Sequence, residues 1–241
     1  MISPKVLSIA GFDPSAGAGI LSDIKTFQNF RVYGFGVITA ITIQNEKEIK
    51  EVKWLEKKDI KNQIDIIFKS HSIFCVKIGI IENPRVLAEI IHHILNLKPE
   101  AIITWDPVLK SSSGFTFWQE FKRDDILKAI DGIYLITPNN EEFENLVKCV
   151  PFKEIVHNVN ILQKSSEVSE EEIVDYLWDD QNFYRLAAKK IIGHEKHGSG
   201  CILSSGITAC LSLGFDLKTA IYKSRENLNN YRIRSNSLLS N

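Results

Sequence analysis

The residues best suited to chemistry form one short loop, in which His197, Gly198, Ser199, Gly200 and Cys201 directly precede an apolar, helix-like stretch. Glycines and a small serine at the start of a helix leave several backbone N–H groups directed toward one point, where the helix dipole adds positive potential. Such a site suits an anion, and in a phosphoryl transfer it would hold the charge that develops on the transferred group. The dipole also favours the thiolate form of Cys201, although an isolated cysteine is more often a buried packing residue.

A second glycine-rich segment, residues 11–19, reads GFDPSAGAG and precedes another predicted helix. Its small residues would let a ligand approach the backbone and the start of that helix. The segment lacks the G-K-[ST] ending of a Walker A loop and the G-x-G-x-x-G order of a dinucleotide fingerprint. Taken alone, an ordinary glycine-rich turn explains it as well as a binding loop does.

Glycines or polar side chains follow five predicted strands, namely Gly11 and Asp13, Gln44 and Asn45, Gly79, Asp106, and Asn139. The carboxyl ends of parallel strands lie at one edge of a sheet, and ligands bind in the crevice outside that edge. Turns contain these residue types in any case, which accounts for one such position more easily than for all five. We therefore predict one binding site at this edge.

Asp106, Asn139 and Glu142 carry oxygen atoms that suit Mg²⁺, directly or through water, because magnesium takes few protein ligands. Each of them also has a purely structural explanation. Asp106 ends a strand before Pro107, while Asn139 and Glu142 have the spacing of a helix capping box.

The elements that must hold these residues alternate between strand and helix. Strands are predicted at 6–10, 35–43, 73–78, 101–105, 132–136 and 158–162, followed by a hairpin at 173–178 and 183–188. Helices are predicted at 15–30, 57–68, from Pro84, at 140–148, from 199 to Gly214, and after the N-cap Asp216. This order predicts a three-layer α/β/α sandwich with a mainly parallel central sheet. The polar segment 163–172 is predicted to be a mobile loop.

The composition excludes several classes of function. The 241 residues have a formal net charge of −1, without the basic excess of a nucleic-acid-binding protein. No apolar stretch approaches the roughly 20 residues of a membrane span. Cys75, Cys149, Cys201 and Cys210 form no C-x-x-C pair, and unpaired thiols without a signal peptide indicate the cytoplasm. Without a linker or repeat, residues 1–241 are predicted to form a single domain.

Six motifs occur in order along the chain: AGFDPSAGAGILSDIKT at 10–26, TIQN at 42–45, VKIG at 76–79, DPV at 106–108, TPNNEE at 137–142 and HGSGC at 197–201. In this combination the chain resembles the hydroxymethylpyrimidine/phosphomethylpyrimidine kinases, which are thiamine-biosynthesis enzymes of the ribokinase-like superfamily. The resemblance implies a ribokinase-like fold and phosphorylation of 4-amino-5-hydroxymethyl-2-methylpyrimidine at its hydroxymethyl group, with ATP and Mg²⁺. It further implies a second phosphorylation, of the monophosphate to the diphosphate.

The resemblance also implies roles for individual residues. Gln44 matches a glutamine that binds the aminopyrimidine edge, a task that suits an amide because it both donates and accepts. Asp23, Gly11 and Gly79 match the substrate region, and Cys201 takes the place of the aspartate base of the sugar kinases. The catalytic anion hole is matched by Gly198, Ser199, Gly200 and Cys201, the ATP-binding residues by Asn139, Glu142 and Lys164, and the metal-binding residues by Asp106 and Glu142.

Three departures from the family pattern stand out. The lysine after D-P-V is Lys110, whereas the family carries one directly before Ser-Gly. The spacing between residues 137 and 161 is short, which suggests a trimmed helix. Ser165, Ser166 and Glu167 stand where the family has Gly-Gly-His, and this change bears on nucleotide affinity and on the second phosphorylation.

Two alternatives to this kinase remain open at this point. Pyridoxal/pyridoxine kinases share the fold, the anion hole and a pocket that accepts a ring, although Gln44 favours an aminopyrimidine. A catalytically silent pyrimidine-binding homologue would account for the changed segment 165–167. The superfamily resemblance implies a homodimer, and the family's substrates imply small-molecule partners. The charge balance and the lack of a long apolar stretch predict no nucleic-acid or membrane partner.

Overall fold

The computed structural model describes residues 3–233, except 112, 120–121, 180–181 and 191–196. In these residues the strands are β1 (Lys5–Phe12), β2 (Tyr33–Gln44), β3 (Ile49–Trp54), β4 (Cys75–Ile78), β5 (Ile102–Trp105), β6 (Leu135–Ile136), β7 (Asn160–Val168), β8 (Glu172–Asp179) and β9 (Asn182–Lys189). The helices are α1 (Gly19–Asn29), α2 (Lys57–Ser70), α3 (Pro84–Leu97), α4 (Arg123–Ile130), α5 (Asn140–Cys149), α6 (Phe152–Asn158), α7 (Ser199–Ser212) and α8 (Leu217–Ile233).

The nine described strands form one sheet in the order β3-β2-β1-β4-β5-β6-β7-β8-β9. Strands β2, β1, β4, β5, β6 and β7 pair in parallel, and β3, β8 and β9 extend the two ends in antiparallel pairings. The parallel strands are largely apolar because helices cover both of their faces. The prediction of a mainly parallel sheet is confirmed.

Two separate apolar clusters lie on opposite faces of the sheet. One cluster contains residues of α2 to α6, such as Ile64, Leu87 and Ile126. The other contains residues of α1, α7 and α8, such as Phe27 and Ile207. Helices therefore cover both faces, which confirms the three-layer α/β/α sandwich. None of the helices described is long and apolar enough to cross a membrane.

The polar segment after Gln163 is strand, not the predicted mobile loop. Strand β7 continues to Val168 and pairs with β8, with a shift of register between Gln163 and Glu167. Polar side chains misled the prediction because this antiparallel extension is partly exposed and needs no apolar run. For the same reason β3, whose sequence is IKEVKW, was missed. Helices α4 and α6 were also not predicted. The short spacing between residues 137 and 161 accommodates two short helices, α5 and α6.

Helix α1 begins at Gly19, four residues later than the predicted start at Ser15. The Asp13 carboxylate accepts hydrogen bonds from the backbone N–H groups of Ser15 (2.8 Å) and Ala18 (2.9 Å). Ala16 has a left-handed backbone, with φ of 57°. This turn, and not helix, is the conformation of residues 13–18, and it brings the glycine-rich segment to the carboxyl edge of the sheet.

Candidate active site

One pocket opens at the carboxyl edge of the parallel strands and is lined by residues from distant parts of the chain. Parallel strands place their ends side by side, so the turns after β1, β2, β4, β5 and β6 meet there. The sequence-predicted residues that line it are Gly11, Gln44, Gly79, Asp106, Asn139, Glu142, Lys164 and the loop Gly198, Ser199, Gly200 and Cys201. Asp23 is the one predicted site residue that does not line it.

The two glycine-rich loops contact each other through their backbones. Gly198 has a left-handed φ of 76° and is the N-cap of α7. A Cβ there would overlap the carbonyl oxygen of Gly17, and a Cβ at Gly19 would overlap that of Gly11. Glycine is therefore required at both positions for two reasons. The neighbouring backbone leaves no room for a Cβ, and the left-handed φ favours a residue without one.

The start of α7 is directed into the pocket with its first N–H groups unused by the helix itself. The N-cap residue Gly198 has no side chain to cap them. Residues 202–211 of the same helix are all buried, which fixes its axis and therefore the direction of those N–H groups. This arrangement is the anion-binding helix terminus that the sequence predicted.

Asp13 joins the two loops and Gln44 through hydrogen bonds. Its Oδ2 lies 3.1 Å from His197 Nε2, and Gln44 also donates to its carboxylate. Burial opposes the charged form, but the bonds from His197, Gln44 and Ser15 outweigh it, so the pKa of Asp13 lies well below its usual range. Asp13 is thus a fixed negative charge that orients the Gln44 amide.

Asp23 lies beneath the pocket rather than on its wall, which corrects its predicted place in the substrate region. Its carboxylate is fully buried and accepts bonds from Lys77 Nζ (3.0 and 2.9 Å), Ser8 Oγ (2.5 Å) and Ser205 Oγ (2.6 Å). Lys77 does line the pocket. Burial lowers the pKa of Lys77, but Asp23 more than reverses this, so the ammonium group stays charged. Asp23 therefore acts by holding Lys77.

Asp106, at the end of β5, is the centre of a second buried cluster. It accepts hydrogen bonds from Lys164 Nζ (2.6 Å), Thr137 Oγ1 (3.2 Å) and Ser204 Oγ (3.2 Å). Burial disfavours its charge, but Lys164 and Lys77 outweigh that effect and hold the pKa of Asp106 below its usual value. The cluster ties β5, β7 and α7 together at the wall of the pocket, which Asp106 and Lys164 line.

Glu142 and Asn139 form the predicted capping box at the start of α5. Asn139 Oδ1 accepts from the Glu142 N–H (2.9 Å), and Glu142 Oε2 accepts from the Asn139 N–H (2.8 Å). Burial raises the pKa of Glu142 to about 7, because Lys164 only partly offsets it and Asp106 adds to it. The negative charge of the Glu142 carboxylate is therefore not fully balanced by positive charge from its neighbours in the pocket.

The thiol of Cys201 stays protonated, which corrects the expectation of a favoured thiolate. Burial raises its pKa to about 12; Lys77 and the Gly19 N–H act in the opposite direction, while the negative charges of Asp106 and Asp23 add to the rise. The helix dipole acts here in competition with desolvation, and desolvation prevails. Cys210 lies on the opposite side of α7 and is a buried core residue, as predicted.

The donor set fits a magnesium ion that keeps most of its water ligands. Asp106 and Glu142 both line the pocket, and the high pKa of Glu142 marks a site where a cation would relieve uncompensated charge. Both oxygens of Asp106 already accept hydrogen bonds, which favours contact through water. Among the described residues, no group of three or more His, Cys, Asp or Glu side chains could hold a metal ion alone.

Sequence reasoning assigned no role to Lys77, and it placed Asp13 and His197 in two separate motifs without predicting that they pair. For Lys77 a signal was present, because a lysine in the middle of the buried strand CVKI needs a buried partner. Asp13 and His197 are 184 residues apart, so no local pattern could pair them. Lys110, the displaced lysine, also lines the pocket, with its Nζ 3.4 Å from Glu141 Oε1.

The chain is similar in sequence and in fold to several known proteins. A family model described as phosphomethylpyrimidine kinase matches residues 13–238. A hydroxymethylpyrimidine/phosphomethylpyrimidine kinase from Aquifex aeolicus is 34% identical over 235 residues, which is 91% of each chain. The crystal structure of phosphomethylpyrimidine kinase from Clostridium difficile 630 superimposes with a TM-score of 0.78 at 32% identity, over 95% of this chain and 99% of that one. The ADP complex of Staphylococcus aureus pyridoxal kinase shares the fold, with a TM-score of 0.81 at 22% identity over 97% and 89%.

Proposed function

Because this chain belongs to the phosphomethylpyrimidine kinase family, we propose that it phosphorylates 4-amino-5-hydroxymethyl-2-methylpyrimidine and then its monophosphate, with ATP, in thiamine diphosphate biosynthesis. The observation that carries the proposal is that Gln44 and the N-terminus of α7 line one pocket. An amide that can bind an aminopyrimidine edge and N–H groups that can hold a phosphoryl group are thereby combined in one site. The unit that does this is the single domain predicted for residues 1–241.

On the substrate side, the proposal assigns the ring to the space between Gln44 and the backbones of Gly11 and Gly79. The bond from Gln44 to Asp13 fixes the amide before the substrate binds, so less ordering is needed on binding. A Cβ at Gly79 would lie 3.1 Å from both Ala10 Cβ and Lys77 Nζ. Glycine at this position leaves the wall flat enough for an aromatic ring.

The chemical step is an in-line attack of the hydroxymethyl oxygen on the γ-phosphorus of ATP. The N–H groups of Ser199, Gly200 and Cys201 hold the equatorial oxygens, while Lys77 and Lys164 place positive charge beside them. The proton of the alcohol leaves late in a loose transition state, which demands little early deprotonation, and it passes to water or to an oxygen of the transferred phosphoryl group as the bond between Pγ and ADP breaks. A protonated Cys201 fits this picture as a neighbour of the transferred group rather than as a strong base.

On the nucleotide side, the proposal assigns ATP to the pocket region near Asn139, Glu142 and Lys164. Mg²⁺ would supply positive charge that offsets the charge of the phosphate groups. Asp106 and Glu142 would hold it, chiefly through water. Lys164 keeps Asp106 ionised and oriented through its 2.6 Å hydrogen bond.

A steady-state assay of ADP formation tests the proposal with three acceptors: the pyrimidine alcohol, its monophosphate and pyridoxal. We expect the highest kcat/KM for the two pyrimidines, because Gln44 offers both a donor and an acceptor to the aminopyrimidine edge. A higher kcat/KM for pyridoxal would instead assign a pyridoxal kinase, the second candidate, which the shared fold favours. Tight binding of the pyrimidine without any ADP formation would indicate a catalytically silent binding protein.

Replacing Cys201 by alanine is expected to lower kcat about 10²-fold while leaving the Kd of the pyrimidine alcohol unchanged, because it removes a hydrogen-bond donor beside the charge that develops on the transferred group. The thiol lies at the start of α7 and not beside Gln44, so its loss removes a group near the transferred phosphate only. Binding is measured by isothermal titration without ATP, and kcat by the same ADP assay. The Cys201→Ser variant, which keeps a proton-bearing group, serves as the control. An unchanged kcat in Cys201→Ala would exclude a catalytic role for the thiol.

The homodimer and the cytoplasmic location implied by the family resemblance are part of the same proposal. Light scattering on the purified chain measures the mass in solution, and twice the 27.4 kDa of one chain is the expected result. A mass of one chain would exclude the dimer.

A further inference from the structure

The turn directly after Lys164 has a backbone conformation that its sequence does not favour. Ser165 has a φ of 53°, in the left-handed region where glycine is preferred. Its N–H donates to Asp175 Oδ1 on the neighbouring strand β8, over 2.7 Å. The register between β7 and β8 shifts at this point, between Gln163 and Glu167. One carboxylate therefore holds a strained turn beside the pocket lysine.

The Asp175 carboxylate is in turn held by an arginine of the last helix. Arg225 of α8 donates through Nε to Asp175 Oδ2 (3.0 Å) and through Nη2 to Asp175 Oδ1. Both side chains are at least nine-tenths buried, with 3% and 4% exposure. A buried pair of this kind adds little stability, yet its bidentate geometry allows only one orientation of the carboxylate.

Lys164 connects the turn at Ser165 with the pocket. Lys164 lies immediately before Ser165, and its Nζ bonds to Asp106. A Cβ at Gly200 in the anion hole would lie only 3.2 Å from the same Nζ. A rotation of the turn at Ser165 would move Lys164 away from both.

We propose that Asp175 and Arg225 are positioning residues, which hold the Ser165 turn so that Lys164 reaches Asp106 and the anion hole. The turn at Ser165 is strained because serine stands at a left-handed position, and the bond to Asp175 compensates that strain. The role assigned to Lys164 in catalysis rests on the proposed function, whereas its position does not.

The test combines two substitutions, Asp175→Asn and Ser165→Gly. An asparagine at 175 cannot accept from Arg225 and from the Ser165 N–H with the same geometry, because one of its two atoms is a donor. We expect Asp175→Asn to lower kcat/KM for ATP about tenfold, with the Kd of the pyrimidine alcohol unchanged. Ser165→Gly removes the left-handed strain, so the double variant is expected to recover most of the loss, while Ser165→Gly alone changes kcat/KM less than about twofold.

A chemical readout makes the test independent of catalysis. Acetylation by acetic anhydride, followed by mass spectrometry of the peptides, measures how exposed each lysine is in the folded chain. We expect Asp175→Asn to speed the acetylation of Lys164 several-fold, and the double variant to return it to the wild-type rate. Lys77, which is fully buried elsewhere in the site, is expected to react at its slow wild-type rate in every variant.

Matched variants separate positioning from general loosening of the fold. Asp216→Asn changes another carboxylate at the start of α8, one that binds Thr219 on the surface, and is expected to leave Lys164 and the KM for ATP unchanged. If Asp175→Asn does not fold, the Arg225→Lys variant takes its place in the test, because lysine keeps the charge but loses the bidentate geometry.

Acetylation of Lys164 and Lys77 rising together, or neither rising, would overturn the proposal. Absence of kinase activity in the wild type would overturn only the proposed function. The acetylation rates would still decide whether Asp175 and Arg225 position Lys164.

Discussion

Replacing Gly198 by alanine will lower kcat about 10²- to 10³-fold, which is the loss that follows when the N–H donors of an anion hole are displaced. The added Cβ overlaps the Gly17 carbonyl oxygen and crowds Ala18, and both belong to the other glycine-rich loop. These are backbone atoms, so no side chain can rotate out of the way. The start of α7 must shift instead, and its N–H groups then no longer converge on the phosphoryl group. The measurement is kcat from ADP formation.

Gly214→Ala is the control for backbone strain. Gly214 follows the other end of α7 and also has a left-handed backbone, with φ of 85°, but a Cβ there meets nothing within 4 Å. Both variants therefore have the conformational cost of a left-handed alanine, about 1 kcal/mol of stability, and only Gly198→Ala disturbs the site. Equal effects of the two substitutions on kcat would contradict the role assigned to the Gly198 loop.

The largest effect on stability is expected for Lys77→Met, which leaves the Asp23 carboxylate buried without a counter-ion. Removing one partner of a buried ion pair costs about 3–5 kcal/mol, because the remaining charge stays desolvated. Ser8 and Ser205 still donate to Asp23, but neither supplies a positive charge. Urea unfolding followed by circular dichroism measures the change in free energy of unfolding.

Two further variants give this prediction its controls. Adding Asp23→Asn to Lys77→Met removes the stranded charge and is expected to recover part of the lost stability. Lys57→Met breaks the exposed pair with Glu89, whose N–O distance of 2.6 Å is shorter than the 2.9 Å of the Lys77–Asp23 pair, and is expected to cost less than about 1 kcal/mol. If Lys77→Met lowers the free energy of unfolding no more than Lys57→Met does, the Lys77–Asp23 pair does not stabilise the fold as proposed.

The sequence predicted the composition of the pocket well because strand ends are a property of topology. Once β1, β2, β4, β5 and β6 are parallel neighbours, the residues after them must meet, whatever their side chains do in detail. Gln44, Asp106 and Asn139 were found in this way. The glycine and serine residues before an apolar stretch separately placed a helix start at Ser199, which is the first residue of α7.

What the sequence could not predict depends on burial and on partners far away in the chain. The expected thiolate of Cys201 followed from the helix dipole alone, whereas its real state depends on desolvation and on the charges of Asp106 and Asp23. Asp23 was placed with the substrate because motifs do not reveal that Lys77 lies between it and the pocket. The segment after Gln163 was taken for a loop because its contacts are backbone bonds to β8, which leave no apolar pattern.

The most direct test of the central claim is the mass of the product formed from the pyrimidine alcohol, ATP and Mg²⁺ by the purified chain. We expect the alcohol to gain one phosphoryl group on its hydroxymethyl oxygen, with one ADP released for each molecule converted. Unchanged alcohol after prolonged incubation, with ATP intact or hydrolysed to free phosphate, would contradict the claim that this pocket joins the pyrimidine to the anion hole of α7.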